Sequence, residues 1–191
     1  MSKKDEALRL FIALHVPPEL GRMIVQYEKE LPFWRWTGAR ELHMTIRFIG
    51  DVQPDKLDDL VTAFENGYAN QRKVRFTTIG YGFNPSERRA SSIHLQMQRT
   101  HALEELKEKT DKIVFDSLGL PAENRSFHPH VTLARFQRPP IYLDMKRLKA
   151  WADEIPKLPE PFAPAITLYK SELTKHVAIH TAIAEHELEC P

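Results

Sequence analysis

Two short segments of the chain repeat one pattern, LHMTIRF at Leu42–Phe48 and PHVTLARF at Pro129–Phe136. Each has a histidine, a threonine two residues later, aliphatic residues at alternate positions and a final Arg-Phe. Because side chains alternate between the faces of a β-strand, each segment predicts a strand with one apolar face and one face that presents an imidazole and a hydroxyl. A single His-x-Thr is usually a surface polar pair, but two copies in the same strand-like context predict a built polar site.

The two copies differ in where the arginine follows the histidine. Strict alternation places Arg47 on the face of His43 and Thr45 and turns Phe48 to the opposite face. In the second copy one residue is inserted before the arginine, so strict alternation would turn that arginine into the core. A β-bulge or a strand end at Ala134 would return it to the histidine's face, and we predict such an irregularity.

The rest of the chain predicts a mixed α+β fold, since strands and helices do not alternate as in a dinucleotide-binding fold and no GxGxxG or GxxxxGK occurs. The helix-then-strand unit occurs before each motif, which indicates two related lobes within one domain, residues 1–191. The predicted strands are Leu8–His15, Leu42–Ile49, Val74–Thr78, Ser92–Met97, Pro129–Ala134, and a closing hairpin of Ala165–Leu173 and Val177–Ile183. The predicted helices begin at Pro17–Pro18, follow Asp51–Pro54, and run from Ala102 to Leu118.

Composition limits the classes of function. The 191 residues are 42% hydrophobic and 28% charged with a net charge of +1, which excludes general disorder and a surface coated with positive charge for long nucleic acid. Any bound phosphate is therefore expected to meet a few placed groups. The single cysteine, Cys190, excludes an internal disulfide. Arg9 interrupts the apolar N-terminal stretch, and no run is long enough for a membrane span, so we expect a cytoplasmic monomer with no membrane partner.

The polar groups of the two motifs suit phosphodiester chemistry. Two imidazoles with pKa values near 6.5 can be held one neutral and one protonated, which supplies a general base and a general acid. Threonine hydroxyls donate to phosphoryl oxygens, and a guanidinium binds phosphate or stacks on a base. The residues leave open which histidine is the acid. No cluster of carboxylates is present to hold a metal ion.

The motifs His43-Met44-Thr45-Ile46 and His130-Val131-Thr132-Leu133 resemble the paired H-x-T-x signature of the two-histidine (2H) phosphoesterase superfamily. Within it, the chain resembles the RNA 2',3'-cyclic phosphodiesterases, once named 2'-5' RNA ligases. The segments that carry this likeness span nearly the whole chain: RLFIALHVPPEL, LHMTIRFIGDV, FHPHVTLARF and LYKSEL.

This resemblance implies a bilobal pseudo-twofold fold, in which two mostly antiparallel sheets flank a central cleft and the helices lie outside. It also implies hydrolysis of RNA 2',3'-cyclic phosphate ends to 2'-phosphomonoesters without a metal ion or other cofactor. The substrate is an RNA or oligonucleotide end, small cyclic nucleotides being an open alternative, and the reverse reaction is 2'-5' ligation without ATP.

The resemblance further implies roles for individual residues. His43 would be the proton donor and His130 the proton acceptor, and Thr45 and Thr132 would bind the phosphoryl oxygens. Arg135 would bind the phosphate or the base. For Phe48, stacking on the base and burial in the core both remain open.

Two other classes of function are alternatives. One is a module of the same fold that binds RNA ends or nucleotides without turnover. The other is a metallohydrolase that uses His128 and His130, although two ligands alone favour a structural role for His128. Trp34 and Trp36 are expected to pack rather than stack on RNA. His180 could reach the cleft if the terminal hairpin folds over it, and residues 81–89 could form either a mobile lip or a solvated turn.

Overall fold

The computed structural model describes residues 6–26, 34–174 and 178–190. The strands are β1 (Leu8–His15), β2 (Trp34–Trp36), β3 (His43–Val52), β4 (Thr78–Asn84), β5 (Ser92–Met97), β6 (His130–Phe136), β7 (Ala165–Leu173) and β8 (Ala178–Glu187). The helices are α1 (Pro18–Gln26), α2 (Leu57–Tyr68), α3 (His101–Leu118) and α4 (Tyr142–Asp153). No helix in these ranges is long and apolar enough to cross a membrane.

The strands form one sheet in the order β4-β5-β6-β3-β1-β7-β8, with β2 paired to β6. All strand pairs are antiparallel, and the two halves meet at a single pair of residues, Met44 opposite Val131. The order is symmetric about this junction, since β6, β5 and β4 on one side correspond to β3, β1 and β7 on the other. The two predicted sheets are therefore the halves of a sheet that is nearly divided at the pseudo-twofold axis.

A helix that belongs to one half of the sheet packs against the other half. The units β1-α1-β3 and β5-α3-β6 correspond, but α3 packs against β3 in the opposite half and against α2. Helix α4 covers β2, where Trp34 is 6% exposed and its ring meets that of Trp151 with centroids 5.3 Å apart. Trp36 also packs on Trp151. Thus the tryptophans pack against a helix, as expected.

Some predicted elements differ from the observed ones. The predicted strand Val74–Thr78 is wrong, because β4 begins only at Thr78 and continues to Asn84. Residues 81–84, expected in a lip or turn, are therefore paired backbone. Helix α4 was not predicted, because its buried positions include the charged Asp144 and give only a weak apolar stripe. Val177 lies outside the described residues.

Both motif strands contain a β-bulge three residues after the histidine. In β6, Ile93 pairs with Ala134 and His94 with Thr132, which leaves Leu133 as the extra residue. This confirms the predicted irregularity near Ala134. Its consequence is that Arg135, five residues after the histidine, returns to the face of His130.

The first motif has the same bulge, which the sequence did not predict. Ile12 pairs with Arg47 and Ala13 with Thr45, so Ile46 is the extra residue in β3. The expectation that Arg47 shares a face with His43 is therefore wrong. Arg47 is 4% exposed and turns towards α3 and the segment that follows it.

The buried guanidinium of Arg47 ties β3 to the helix side of the sheet. Its Nη2 donates to the carbonyl of Pro121 (2.6 Å), and its Nη1 lies 3.5 Å from Asp111 and 3.7 Å from Glu123. Lys107 bonds the same Asp111 carboxylate at 2.6 Å. The Arg-Phe repeat thus has a structural function in the first motif and presents its arginine to the cleft only in the second.

The contact between α2 and α3 yields a stability test. A Cβ atom at Gly67 would lie 2.7 Å from Cγ1 of Ile113, which is 7% exposed and has little room to move. We expect Gly67→Ala to lower the free energy of unfolding by about 1–3 kcal/mol through overpacking. Urea denaturation of both proteins measures this difference in the free energy of unfolding. In the Ile113→Ala background the clash is gone, so the same change should be neutral or stabilising. An unchanged stability in the original background would contradict the contact.

Candidate active site

The junction between the two halves brings the polar groups of both motifs to one face. Met44 and Val131 are opposite each other and fully buried, so both side chains point into the core. Alternation then turns the residues on either side of them to the other face of the sheet. The residues that share this face are His43, Thr45, His130 and Thr132.

The antiparallel register arranges these four groups as a crossed pair. With Met44 opposite Val131, His43 stands across from Thr132, and Thr45 stands across from His130. The two histidines are diagonal neighbours, for which Cβ atoms are typically about 7–8 Å apart. That separation leaves room for one phosphoryl group between the imidazoles.

A cleft of about 900 Å³ opens on this face beside His43. His43, Thr45, Phe48 and Arg135 line it, and the two bulges explain why Phe48 and Arg135 both reach it. Phe48, for which burial was the alternative, is half-exposed. Phe48 and Arg135 are each five residues after their histidine, so they are counterparts across the pseudo-twofold axis.

The cleft is locally basic although the chain is nearly neutral. Arg9 and Arg35 line it together with Arg135, and the guanidinium of Arg9 lies 4.6 Å from the centre of the Phe48 ring. Among the described residues that line this cleft, none is Asp or Glu. An anion with an aromatic group attached fits such a lining.

Thr132 reaches the same region from the other motif. It lines a smaller pocket of about 60 Å³ together with His43 and Arg135, which also line the main cleft. His130 is not among the residues that line this pocket and instead lines a separate groove of about 440 Å³ in the half formed by β4, β5 and β6. The structure therefore brings His43, Thr45, Thr132 and Arg135 around one space and places His130 at its border.

The ring of His43 is held in one tautomer. Its Nδ1 lies 2.7 Å from the carbonyl oxygen of Glu41, and since a carbonyl only accepts, Nδ1 carries the proton. Nε2 is left available to a substrate. His130 makes the equivalent bond, from Nδ1 to the carbonyl of His128 (2.8 Å). In each half the carbonyl two residues upstream thus orients the imidazole.

The surroundings of His43 disfavour its charged form. Burial among aromatic rings lowers its pKa to about 4, an effect reinforced by His180 and Arg135 and opposed by the hydrogen bond to Glu41. Phe11 and His180 are the close rings, with centroids 5.3 Å and 5.5 Å from that of His43. His43 is therefore neutral at neutral pH in the free site.

Several groups at the cleft come from elements remote in sequence. His180, considered without commitment from the sequence, does line the cleft, from β8, and burial lowers its pKa. Arg9 and Arg35 were not predicted. Strand alternation carries a signal for both, because Arg9 precedes the buried Leu10 in β1 and Arg35 follows the buried Trp34 in β2.

The described residues contain no group of three or more His, Cys, Asp or Glu side chains that could hold a metal ion. His128 is exposed, and its carbonyl orients His130.

The chain is similar to known phosphoesterases. The family model for LigT-like phosphoesterases matches residues 14–94. An RNA 2',3'-cyclic phosphodiesterase of Geobacillus stearothermophilus is 28% identical over 197 residues, which cover 95% of this chain and 58% of that protein. One of Methanocaldococcus jannaschii is 26% identical over 185 residues, covering 93% of this chain and 99% of that protein.

The fold has solved counterparts. The crystal structure of Escherichia coli LigT in apo form superposes with a TM-score of 0.68 at 24% identity, covering 96% of this chain and 98% of that one. This likeness confirms the predicted bilobal α+β architecture.

The lowered pKa of His43 can be observed directly. At pH 6 an ordinary histidine with a pKa of 6.5 is mostly protonated, whereas His43, with a pKa of about 4, should be neutral with its proton on Nδ1. Nitrogen-15 NMR of the imidazole distinguishes these forms. Arg135→Gln removes one positive charge and should raise this pKa slightly, because burial is the larger cause. A protonated His43 ring at pH 6 in the free protein would contradict the described surroundings.

Proposed function

We propose that this chain is a LigT-like phosphoesterase that hydrolyses RNA 2',3'-cyclic phosphate ends to 2'-phosphomonoesters without a metal ion. Its similarity to the family model, to the curated relatives and to the LigT fold supports this proposal. The observation that carries the proposal is the crossed arrangement of His43 and Thr45 with Thr132 and His130 beside a basic cleft. The names of the two curated relatives support the substrate class.

The phosphoryl group occupies the space between the two motifs. The hydroxyls of Thr45 and Thr132 approach it from opposite strands and donate to its non-bridging oxygens. Arg135 lies beside both and supplies a positive charge as negative charge develops on these oxygens in the transition state. These groups are fixed by sheet backbone, so little reorganisation is needed during the reaction.

Proton transfer uses the Nε2 atom of each histidine. His130 accepts a proton from water as the water oxygen attacks phosphorus. His43 gives a proton to the 3'-oxygen as the P–O3' bond breaks, and the phosphate stays on the 2'-oxygen. The two imidazoles stand on opposite sides of the junction, as in-line displacement requires.

His43 must gain its proton when substrate binds, because it is neutral in the free site. The negative charge of the phosphate favours the imidazolium and raises the pKa of His43 from about 4. The proton is thus acquired together with the substrate. This keeps the acid uncharged until the phosphate that needs it is present.

The nucleoside that bears the cyclic phosphate lies in the main cleft. Phe48 offers a ring for the base, and Arg9 and Arg35 extend the positive surface towards further phosphates of an RNA strand. This lining supports RNA ends over isolated cyclic nucleotides. With a 5'-hydroxyl in place of water, the same arrangement would form a 2'-5' bond.

Removal of either imidazole tests the chemistry. We expect His43→Ala and His130→Ala each to lower kcat on an oligonucleotide with a 2',3'-cyclic phosphate end by about 100-fold or more. Thr45→Ala and Thr132→Ala should cost about 1–3 kcal/mol of transition-state stabilisation each. His101→Ala is the matched control, since this histidine is exposed on the surface of α3.

Activity should be unchanged by EDTA, and loss of activity with the chelator would favour the metallohydrolase. Binding of the oligonucleotide without any hydrolysis would identify a binding module instead.

The protonation of His43 on binding tests its assignment as the acid. Inorganic phosphate should raise the midpoint of the His43 titration from about 4 in the free protein, followed by NMR of the imidazole. The plot of kcat/KM against pH should be bell-shaped with apparent values that belong to the histidine pair. If the midpoint of the His43 titration stays near 4 with phosphate bound, the assignments of acid and base to the two histidines must be exchanged. A plot of kcat/KM that is flat from about pH 5 to 9 would reject acid–base catalysis by the pair.

A further inference from the structure

The groove beside His130 is much larger than its part in hydrolysis requires. Its volume of about 440 Å³ is more than ten times the roughly 30 Å³ that one water occupies, and it lies within the about 300–1,000 Å³ of sites that hold small molecules. If His130 is the base, the attacking oxygen approaches from this side. The structure therefore provides room for a nucleophile far larger than water.

The lining of the groove suits a nucleoside. Phe83 and Phe127 contribute half-buried rings, and the imidazole of His94 lies 4.9 Å from that of His130. Among the described residues of this lining there is no carboxylate, and Arg99 lies at its edge, where it also pairs with Glu104. Aromatic rings with a nearby cation are the surface on which bases stack.

Two polar side chains that line the groove, those of His94 and Gln96, pack against a glycine of β4. A Cβ at Gly82 would lie 2.7 Å from Nε2 of His94 and 2.8 Å from Nε2 of Gln96. These two side chains can therefore keep their positions only if the residue has no Cβ. Burial and the nearby His130 lower the pKa of His94 to about 4. Its buried Nδ1 has no hydrogen-bond partner among the described residues. The ring of His94 is therefore uncharged at neutral pH.

The groove and the main cleft each adjoin one of the two motif histidines. The main cleft adjoins His43 and takes residues from both halves, whereas the groove adjoins His130 and is lined by residues of its own half. Each combines aromatic rings with arginine, and the reacting phosphorus lies between them. A phosphodiester that joins two nucleosides has the same arrangement.

We propose that the groove is an acceptor site for the 5'-terminal nucleoside of a second RNA strand, whose 5'-hydroxyl replaces water. This inference rests on the proposed function. The 5'-hydroxyl gives its proton to Nε2 of His130 while a lone pair of its oxygen forms the new P–O5' bond. The P–O3' bond breaks, its electron pair goes to O3', and His43 supplies the proton to O3'. The product is a 2'-5' linkage, formed from the strained cyclic phosphate without another co-reactant.

The strand that carries the cyclic phosphate does not occupy this groove. Its ribose bears the departing 3'-oxygen, which receives a proton from His43, so in-line geometry keeps that ribose on the His43 side. The groove lies on the side of the incoming oxygen. The two sites therefore divide between the two strands.

Cleavage of a 2'-5'-linked dinucleoside monophosphate tests the acceptor site, because it is the microscopic reverse of the joining step. We expect Phe83→Ala and Phe127→Ala each to lower kcat/KM for this cleavage about tenfold or more, as loss of a stacking ring does. Hydrolysis of a nucleoside 2',3'-cyclic phosphate by the same proteins should stay within about twofold, which also shows that they fold. Phe48→Ala, in the main cleft, should lower both activities. Phe115→Ala, exposed on α3, should lower neither.

Other outcomes overturn the acceptor site. If the unmodified chain hydrolyses cyclic phosphate but never cleaves the 2'-5' linkage, or if the groove variants impair both activities equally or neither, no second nucleoside binds there. If they weaken only hydrolysis of a longer oligonucleotide with a cyclic end, the groove carries the upstream part of that strand instead. Absence of hydrolysis by the unmodified chain would reject the proposed function itself.

Discussion

The contact between Met44 and Val131 is the constraint on which the site depends. Two buried aliphatic side chains meet where the halves of the sheet join, and they fix the register of the two motif strands. A shift of one residue in either strand would turn its histidine and threonine into the core. The burial of apolar side chains on the other face of the sheet thus holds the polar groups in place. A shifted strand would lose this burial and would bury an imidazole without a hydrogen-bond partner.

The matched bulges explain how a short repeat can supply different groups to one cleft. Each extra residue, Ile46 or Leu133, keeps two successive side chains on the buried face and returns the fifth residue after the histidine to the open face. That residue is Phe48 in one half and Arg135 in the other. An alignment of the two Arg-Phe pairs is therefore misleading, because the position of Phe48 in one half corresponds structurally to that of Arg135 in the other. One half offers a ring and the other a charge.

Alternation and the repeated motif were sufficient to predict the motif strands, the shared face of each His-Thr pair and the bulge near Ala134. They were insufficient for Arg47, because one irregular position reverses the face of every residue that follows. Groups such as Arg35 and His180 lie on strands far away in sequence, and only the pairing of β2 with β6 and of β8 with β7 brings them to the cleft. Local patterns carry no information on such pairing.

The two halves share a backbone plan but surround their histidines differently. Both rings are oriented by the carbonyl two residues upstream, so their tautomers are equal. His43 is packed among Phe11, Tyr169 and His180, which removes water and makes a positive charge costly until an anion arrives. His130 borders an open groove instead, where a large nucleophile can approach its nitrogen. A symmetric scaffold can thus support the asymmetric reaction that we propose, because the proposed proton donor His43 and proton acceptor His130 differ in their access to solvent rather than in their side chains.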